Sequence, residues 1–137
     1  MIHDRPAARA AWARVAAEAA SNPQICLVTG EPGPVARLHA SIKGVWGAQS
    51  SGASLVSFNL DAFESYGHAQ GDNAPVSEAA AFAYGTALNI FLAKDSGHRI
   101  QIGDASTVFW ADCADGEAAA EAEAIFAGFF DPAAEER

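Results

Sequence analysis

An α+β fold, with helices bracketing a small and mostly antiparallel sheet, is what the 137-residue sequence predicts. Three observations carry that reading. Alanine-rich stretches without internal breakers stand near both ends and around residue 80, where helices are expected. Short apolar or alternating runs lie between them, each fenced by Gly, Pro, Asn or Ser. Two of these runs flank Gly103-Asp104-Ala105-Ser106, the signal of a hairpin. The length suits a single domain, 1–137, and 33 residues are alanine, so the core is modest for a chain that is 50% apolar.

Asp4-Arg5-Pro6 opens the first helix, since Asp caps and Pro is tolerated in the first turn. The helix runs to about Ala20 with Trp12, Val15 and Ala19 on one face, and Ser21-Asn22-Pro23 stops it. Residues 25–29 are a short apolar run between turn residues and predict a buried strand. Gly30-Glu31-Pro32-Gly33-Pro34 is a turn cluster. Residues 35–45 combine strand and loop character, 47–54 form a Gly/Ser/Gln loop, and 55–58 predict another strand. Phe63 and Tyr66 fit a helical turn capped by Asn59 or Asp61, followed by a loop over 67–74. The strongest helix follows Pro75 and reaches about Ala93, with Ser77 as N-cap. Phe82, Leu88, Phe91 and Leu92 make it apolar on most sides, which predicts a central, buried element. Residues 98–102 and 107–111 form the hairpin strands, and 116–130 an acidic final helix.

Eight Lys and Arg stand against 17 Asp and Glu, for a net charge of −9. Taken alone, that total repels nucleic acid. The distribution changes the meaning. Asp112, Asp115, Glu117, Glu121, Glu123, Asp131, Glu135 and Glu136 crowd the last stretch, opposed there by Arg137 alone, while the preceding 111 residues are nearly neutral. From Pro32 to Leu60 there is no acid. No run of 18 large apolar residues and no signal-peptide pattern occur, so no membrane partner and a cytoplasmic location are expected. Cys26 and Cys113 make no disulfide framework.

Catalytic and metal-binding patterns are missing. Cys26, His39, His68, His98 and Cys113 lack zinc-ligand spacing, and Cys26 reads as a buried structural thiol, so no metal or cofactor is expected. Ser50 and Ser51 lie among glycines without a nucleophile elbow, which favours a flexible binding loop. Gly30 to Gly33 lacks the lysine of a phosphate loop. Asp61 and Glu64 can share a cleft as a hydrolytic pair, but also suit a helix start. The acid-free segment remains. Its glycines allow close approach to a nucleic-acid backbone, its serines and N–H groups suit phosphate oxygens, and Arg37 and Lys43 add charge. Gln49 suits a base edge or a wedge from the minor groove, with Ser50, Ser51 and Asn59 as further contacts. An ordinary polar loop between strands is the competing reading.

The runs Ile25-Cys-Leu-Val-Thr-Gly-Glu31, Ala36-Arg-Leu-His39, Ile42-Lys-Gly44 and Gly47-Ala-Gln-Ser-Ser-Gly-Ala-Ser-Leu-Val-Ser-Phe-Asn59 carry a family resemblance. So do Asp61 to Gly67, Asn73 to Ser77, Ala81 to Tyr84, Thr86 to Asn89 and Val108 to Ala111. Together they resemble the large subunit of the type I-C CRISPR–Cas interference complex, the Csd or subtype-c large subunit, with this chain matching an interior block of it. The resemblance implies a non-enzymatic role in antiviral defence. Its partners would be the other Cas subunits and crRNA, target double-stranded DNA whose short flanking motif (PAM) is recognised, and the helicase–nuclease that the complex recruits. A rival reading is a stand-alone decoy that mimics the subunit and blocks assembly.

Overall fold

In the computed structural model, residues 5–19 and 23–130 are described. The elements in order are α1 (Pro6–Ala19), β1 (Pro23–Ile25), β2 (Pro32–Pro34), α2 (Glu78–Phe91), β3 (Arg99–Ile102), β4 (Ala105–Val108) and α3 (Gly116–Gly128), with 3-10 turns at Asp61–Phe63 and Gln70–Asn73. The fold is α+β, as expected, but its sheet is two separate antiparallel pairs, β1–β2 and β3–β4. Contacts gather the chain into two compact units, Met1–Ala40 with Ser54–Tyr84, and Ser41–Ala53 with Gly85–Arg137.

In the first unit, β1 pairs with the proline-rich segment that the sequence marks as a turn, in the register Pro23↔Pro34, Gln24↔Gly33 and Ile25↔Pro32. Three prolines, Pro23, Pro32 and Pro34, supply no N–H to the ladder, so pairing is short and edge-like. The chain therefore turns at 27–29, where a buried strand was expected, and Ile25, Leu27 and Val28 are exposed. Cys26 alone of that run is buried, at 2% exposure. Around it pack Ala36, Val76, Ala80 and Ala81, with Tyr84 against them. The Ser77 hydroxyl accepts from Ala80 N–H at 3.3 Å and caps α2. Ser77 N–H in turn donates to the Cys26 sulfur at 3.2 Å.

Trp12 and Val15 of α1 are exposed, and the proposed Asp4 cap lies outside the described residues. Residues 55–58 alternate exposed and half-buried side chains as a strand would, yet among the described residues no neighbour pairs with them, so the period is present without the ladder. The turn at Asp61–Phe63 starts from Leu60 without a side-chain cap, so neither Asn59 nor Asp61 plays that part. Helix α2 is less buried than its composition suggests. Phe82 and Ile90 are exposed, and the small residues Ala80, Ala81 and Gly85 form its inner surface.

In the second unit, β3 and β4 pair from Arg99↔Val108 to Ile102↔Ala105 around Gly103 and Asp104, a tighter turn than the expected Gly103–Ser106. Asp115 caps α3, its carboxylate accepting from Glu117 N–H at 2.9 Å. An aromatic series continues from Phe109 to Phe126 (centroids 4.9 Å apart) and from Phe126 to Phe130 (5.3 Å). Glu123 of α3 accepts Ala111 N–H at 2.9 Å and lies 3.6 Å from His98 Nδ1, fixing the helix to the hairpin.

Candidate nucleic-acid interface

The acid-free stretch is divided between the two units, and each part is a different kind of structure. In the second unit, residues 41–53 form a closed loop. Its ends are tied by a reciprocal pair, Ile42 N–H to Ala53 O and Ala53 N–H to Ile42 O, both 2.8 Å. Ile42 is 4% exposed and anchors the base. Inside the loop, Ala48 N–H reaches Val45 O at 3.3 Å and Gly52 N–H reaches Gln49 O at 2.8 Å, so two successive turns carry the chain round.

Asn89 of α2 holds this loop from below. Its Oδ1 accepts Lys43 N–H at 2.7 Å, while its Nδ2 donates to Ser41 O at 3.3 Å and to Gly85 O at 2.8 Å. One side chain thus satisfies backbone groups on both sides of Ile42. Gly44 is left-handed (φ +77°), and a Cβ there would lie 2.4 Å from Leu92 O, so only glycine allows the loop to sit against the end of α2. On the hairpin side, the Ser106 hydroxyl accepts Trp46 N–H at 2.8 Å. The flexible loop expected from sequence is instead pre-formed and fixed to two elements.

Lys43 serves this architecture directly, because its ammonium donates to Ser51 O within the same loop. No acid among the described residues forms an ion pair with it. Gln49, Ser50 and Ser51 are exposed. Among the described residues, their backbone N–H groups meet no acceptor, which leaves three successive donors near a fixed cation. Such an arrangement suits a phosphate oxygen.

Arg37 and Asn59 belong to the other unit. They line a cavity of about 210 Å³ together with Leu38, His39, Val56 and Phe58. Arg37 Nη1 donates to Gln70 Oε1 at 2.8 Å, and Gln70 holds a left-handed backbone (φ 48°). Gln70 N–H donates to Glu64 Oε1 at 3.2 Å, so Glu64 braces this turn. His39 Nδ1 is hydrogen-bonded to the Tyr84 hydroxyl; burial lowers the pKa of the one and raises that of the other, keeping both neutral near pH 7. Among the described residues no three His, Cys, Asp or Glu side chains gather to hold a metal ion. No helix described is long and apolar enough to cross a membrane.

A family model described as CRISPR-associated protein (Cas_Csd1) matches residues 1–137. The chain belongs to that family. The match bears out the resemblance read from the residue runs: the chain is a domain of the CRISPR-associated Csd1 family, of the type I-C large-subunit kind. Among curated proteins, none matches the chain.

Of the six residues singled out by sequence, Lys43, Gln49, Ser50 and Ser51 share the Csd1 loop, and Arg37 and Asn59 share the cavity. Sequence reasoning passed over Asn89 and Trp46. The signal for Asn89 was its place inside an Ala-rich, largely apolar helix, where an amide needs a reason. For Trp46 it was a large aromatic between two glycines.

Proposed function

We propose that this chain is a non-catalytic part of the type I-C interference complex, where it contacts the short motif flanking the target in double-stranded DNA. The family match over residues 1–137 carries this reading. The chemistry of the 41–53 loop supports it: the Lys43 ammonium, three N–H groups that meet no acceptor among the described residues, and the exposed Gln49 amide. The N–H groups and Lys43 hold the phosphate backbone, and Gln49 meets base edges. Arg37 and Asn59 offer a second polar contact. In this role the chain works in the cytoplasm beside other Cas subunits and crRNA, and the assembled complex then engages a helicase–nuclease. Pairing between RNA and DNA reads the remainder of the target.

The test is an electrophoretic shift of target duplex by the assembled complex, with wild-type chain and with Lys43→Ala/Gln49→Ala. The double variant is expected to bind more weakly by tenfold or more, and to discriminate less between correct and altered flanking bases. Equal affinity and equal discrimination remove these residues from the interface.

A further inference from the structure

We propose that Trp46 is a base-stacking residue, presented by the 41–53 loop to an unpaired base of the bound nucleic acid; this rests on the nucleic-acid reading above.

The indole is 69% exposed, although its loop is tied to α2 through Asn89 and to β4 through Ser106. Its backbone N–H is fixed to Ser106 Oγ at 2.8 Å. Two residues earlier Gly44 sits against Leu92, and three residues earlier Lys43 is bound by Asn89. On the other side, Gly47 is left-handed (φ +71°) and would have open space even around a Cβ, so no side chain crowds the ring from that position. An exposed aromatic on a mobile segment loses much of its stacking energy to ordering. Here the backbone is ordered beforehand, so little more than the ring's own torsions is lost on contact.

Trp110, the other exposed tryptophan of this unit, differs in a way that helps choose the ligand. It already stacks on Phe91, with centroids 5.8 Å apart and planes at 14°. Trp46 has no such aromatic partner among the described residues. The same loop carries features a polyanion favours: no acid from Pro32 to Leu60, the charge of Lys43, and N–H groups at Gln49, Ser50 and Ser51 that meet no acceptor among the described residues. A nucleotide stacked on the indole brings its phosphates to the loop that carries those donors. An apolar protein surface would cover the ring equally well but would strand the donors and the cation, so the base is the better match.

The experiment uses the assembled complex and two DNA probes, the target duplex and the same target with mismatches that open the base pairs beside the flanking motif. Wild type is expected to bind the pre-opened probe more tightly. Trp46→Ala should weaken that binding by about fivefold to a hundredfold, the usual range for loss of one stacked base. Trp46→Phe should keep most of the affinity. The salt dependence should be the same in all three, because no charge is removed. If Trp46→Ala binds like wild type while Lys43→Ala/Gln49→Ala is impaired, the stacking proposal is wrong and the DNA reading stands. If neither variant changes binding, both are wrong. A Trp46→Ala chain that no longer enters the complex makes the ring a protein contact, and also overturns the proposal.

Discussion

Replacing Gly44 by alanine separates close approach from backbone strain, provided that Gly47→Ala is measured beside it. Both glycines are left-handed, at φ +77° and +71°. An alanine in that region costs about 1–2 kcal/mol at either position. Space distinguishes them. At Gly47 a Cβ meets nothing within 4 Å, whereas at Gly44 it meets Leu92 O at 2.4 Å and Leu92 C at 3.2 Å, both backbone atoms. An ordinary contact begins near 3.4 Å, so loop and helix end must part by about 1 Å. The 2.7 Å bond from Lys43 N–H to Asn89 then stretches beyond hydrogen-bonding range, and Ile42 beneath it is partly uncovered. A lost bond of about 0.5–1.5 kcal/mol and a partial loss of apolar burial bring the cost of Gly44→Ala to about 2–4 kcal/mol, against about 1–2 for Gly47→Ala. Urea unfolding followed by tryptophan fluorescence gives both values. Equal shifts in midpoint would refute the close approach of loop and helix.

Other expectations use the same geometry. Asn89→Ala should destabilise by about 1–2 kcal/mol and speed hydrogen exchange at the Lys43 amide, while Asn89→Asp, which keeps an acceptor, preserves protection at that amide; unchanged exchange in Asn89→Ala means the clamp is absent. Lys43→Ala should lower the magnitude of the salt slope for DNA binding by about 0.9, and an unchanged slope would make Lys43 a strut of the loop without a phosphate contact. The Ser77 hydroxyl, then the Ser77 N–H and Thr29, draw the Cys26 thiol down from 9.0 to about 6. A pKa depressed by folding gives stability that is complete above the unfolded value and lost as pH falls through the folded one. Urea midpoints should therefore rise between about pH 6 and pH 9, and more steeply in wild type than in Ser77→Ala, which also loses about 1 kcal/mol of capping; parallel pH profiles would contradict the thiolate–Ser77 interaction.

Elements specified by neighbouring residues were legible in the sequence. The β3–β4 hairpin is marked by Gly103-Asp104 between alternating runs, α2 by Ser77 at its cap, and α3 by alanines after a turn. Misreadings arose where the outcome depends on a pairing partner outside the run itself. Residues 25–29 have strand composition, but the segment available for pairing contains Pro32 and Pro34, so the ladder stops at Ile25. Residues 55–58 have strand periodicity but pair with no neighbour among the described residues. The candidate site behaves likewise. Residue types within the loop indicated its polarity, but its rigidity comes from Asn89, 46 positions beyond Lys43, and from Ser106, 60 positions beyond Trp46. Neither partner can be named from the residues of the loop itself.

The division of the acid-free stretch bears on how such a chain can recognise DNA. With residues 32–40 and 54–60 in one unit and 41–53 in the other, each unit receives one Lys or Arg from this stretch, Arg37 and Lys43 respectively. A single phosphate contact contributes a salt slope of only about 0.9, far short of what holds an autonomous DNA-binding domain on its site. The second unit also carries the acids of α3, Glu117, Glu121 and Glu123, which work against general attraction of a polyanion. Under the proposed function, bulk affinity therefore comes from the rest of the assembly and from RNA–DNA pairing. What the chain adds is directional: fixed N–H groups, an amide and one indole on a braced loop. Weak charge favours that role. A strongly basic loop would hold any duplex at length, whereas this one gains most where the flanking bases fit, so discrimination is expected to exceed affinity in its contribution.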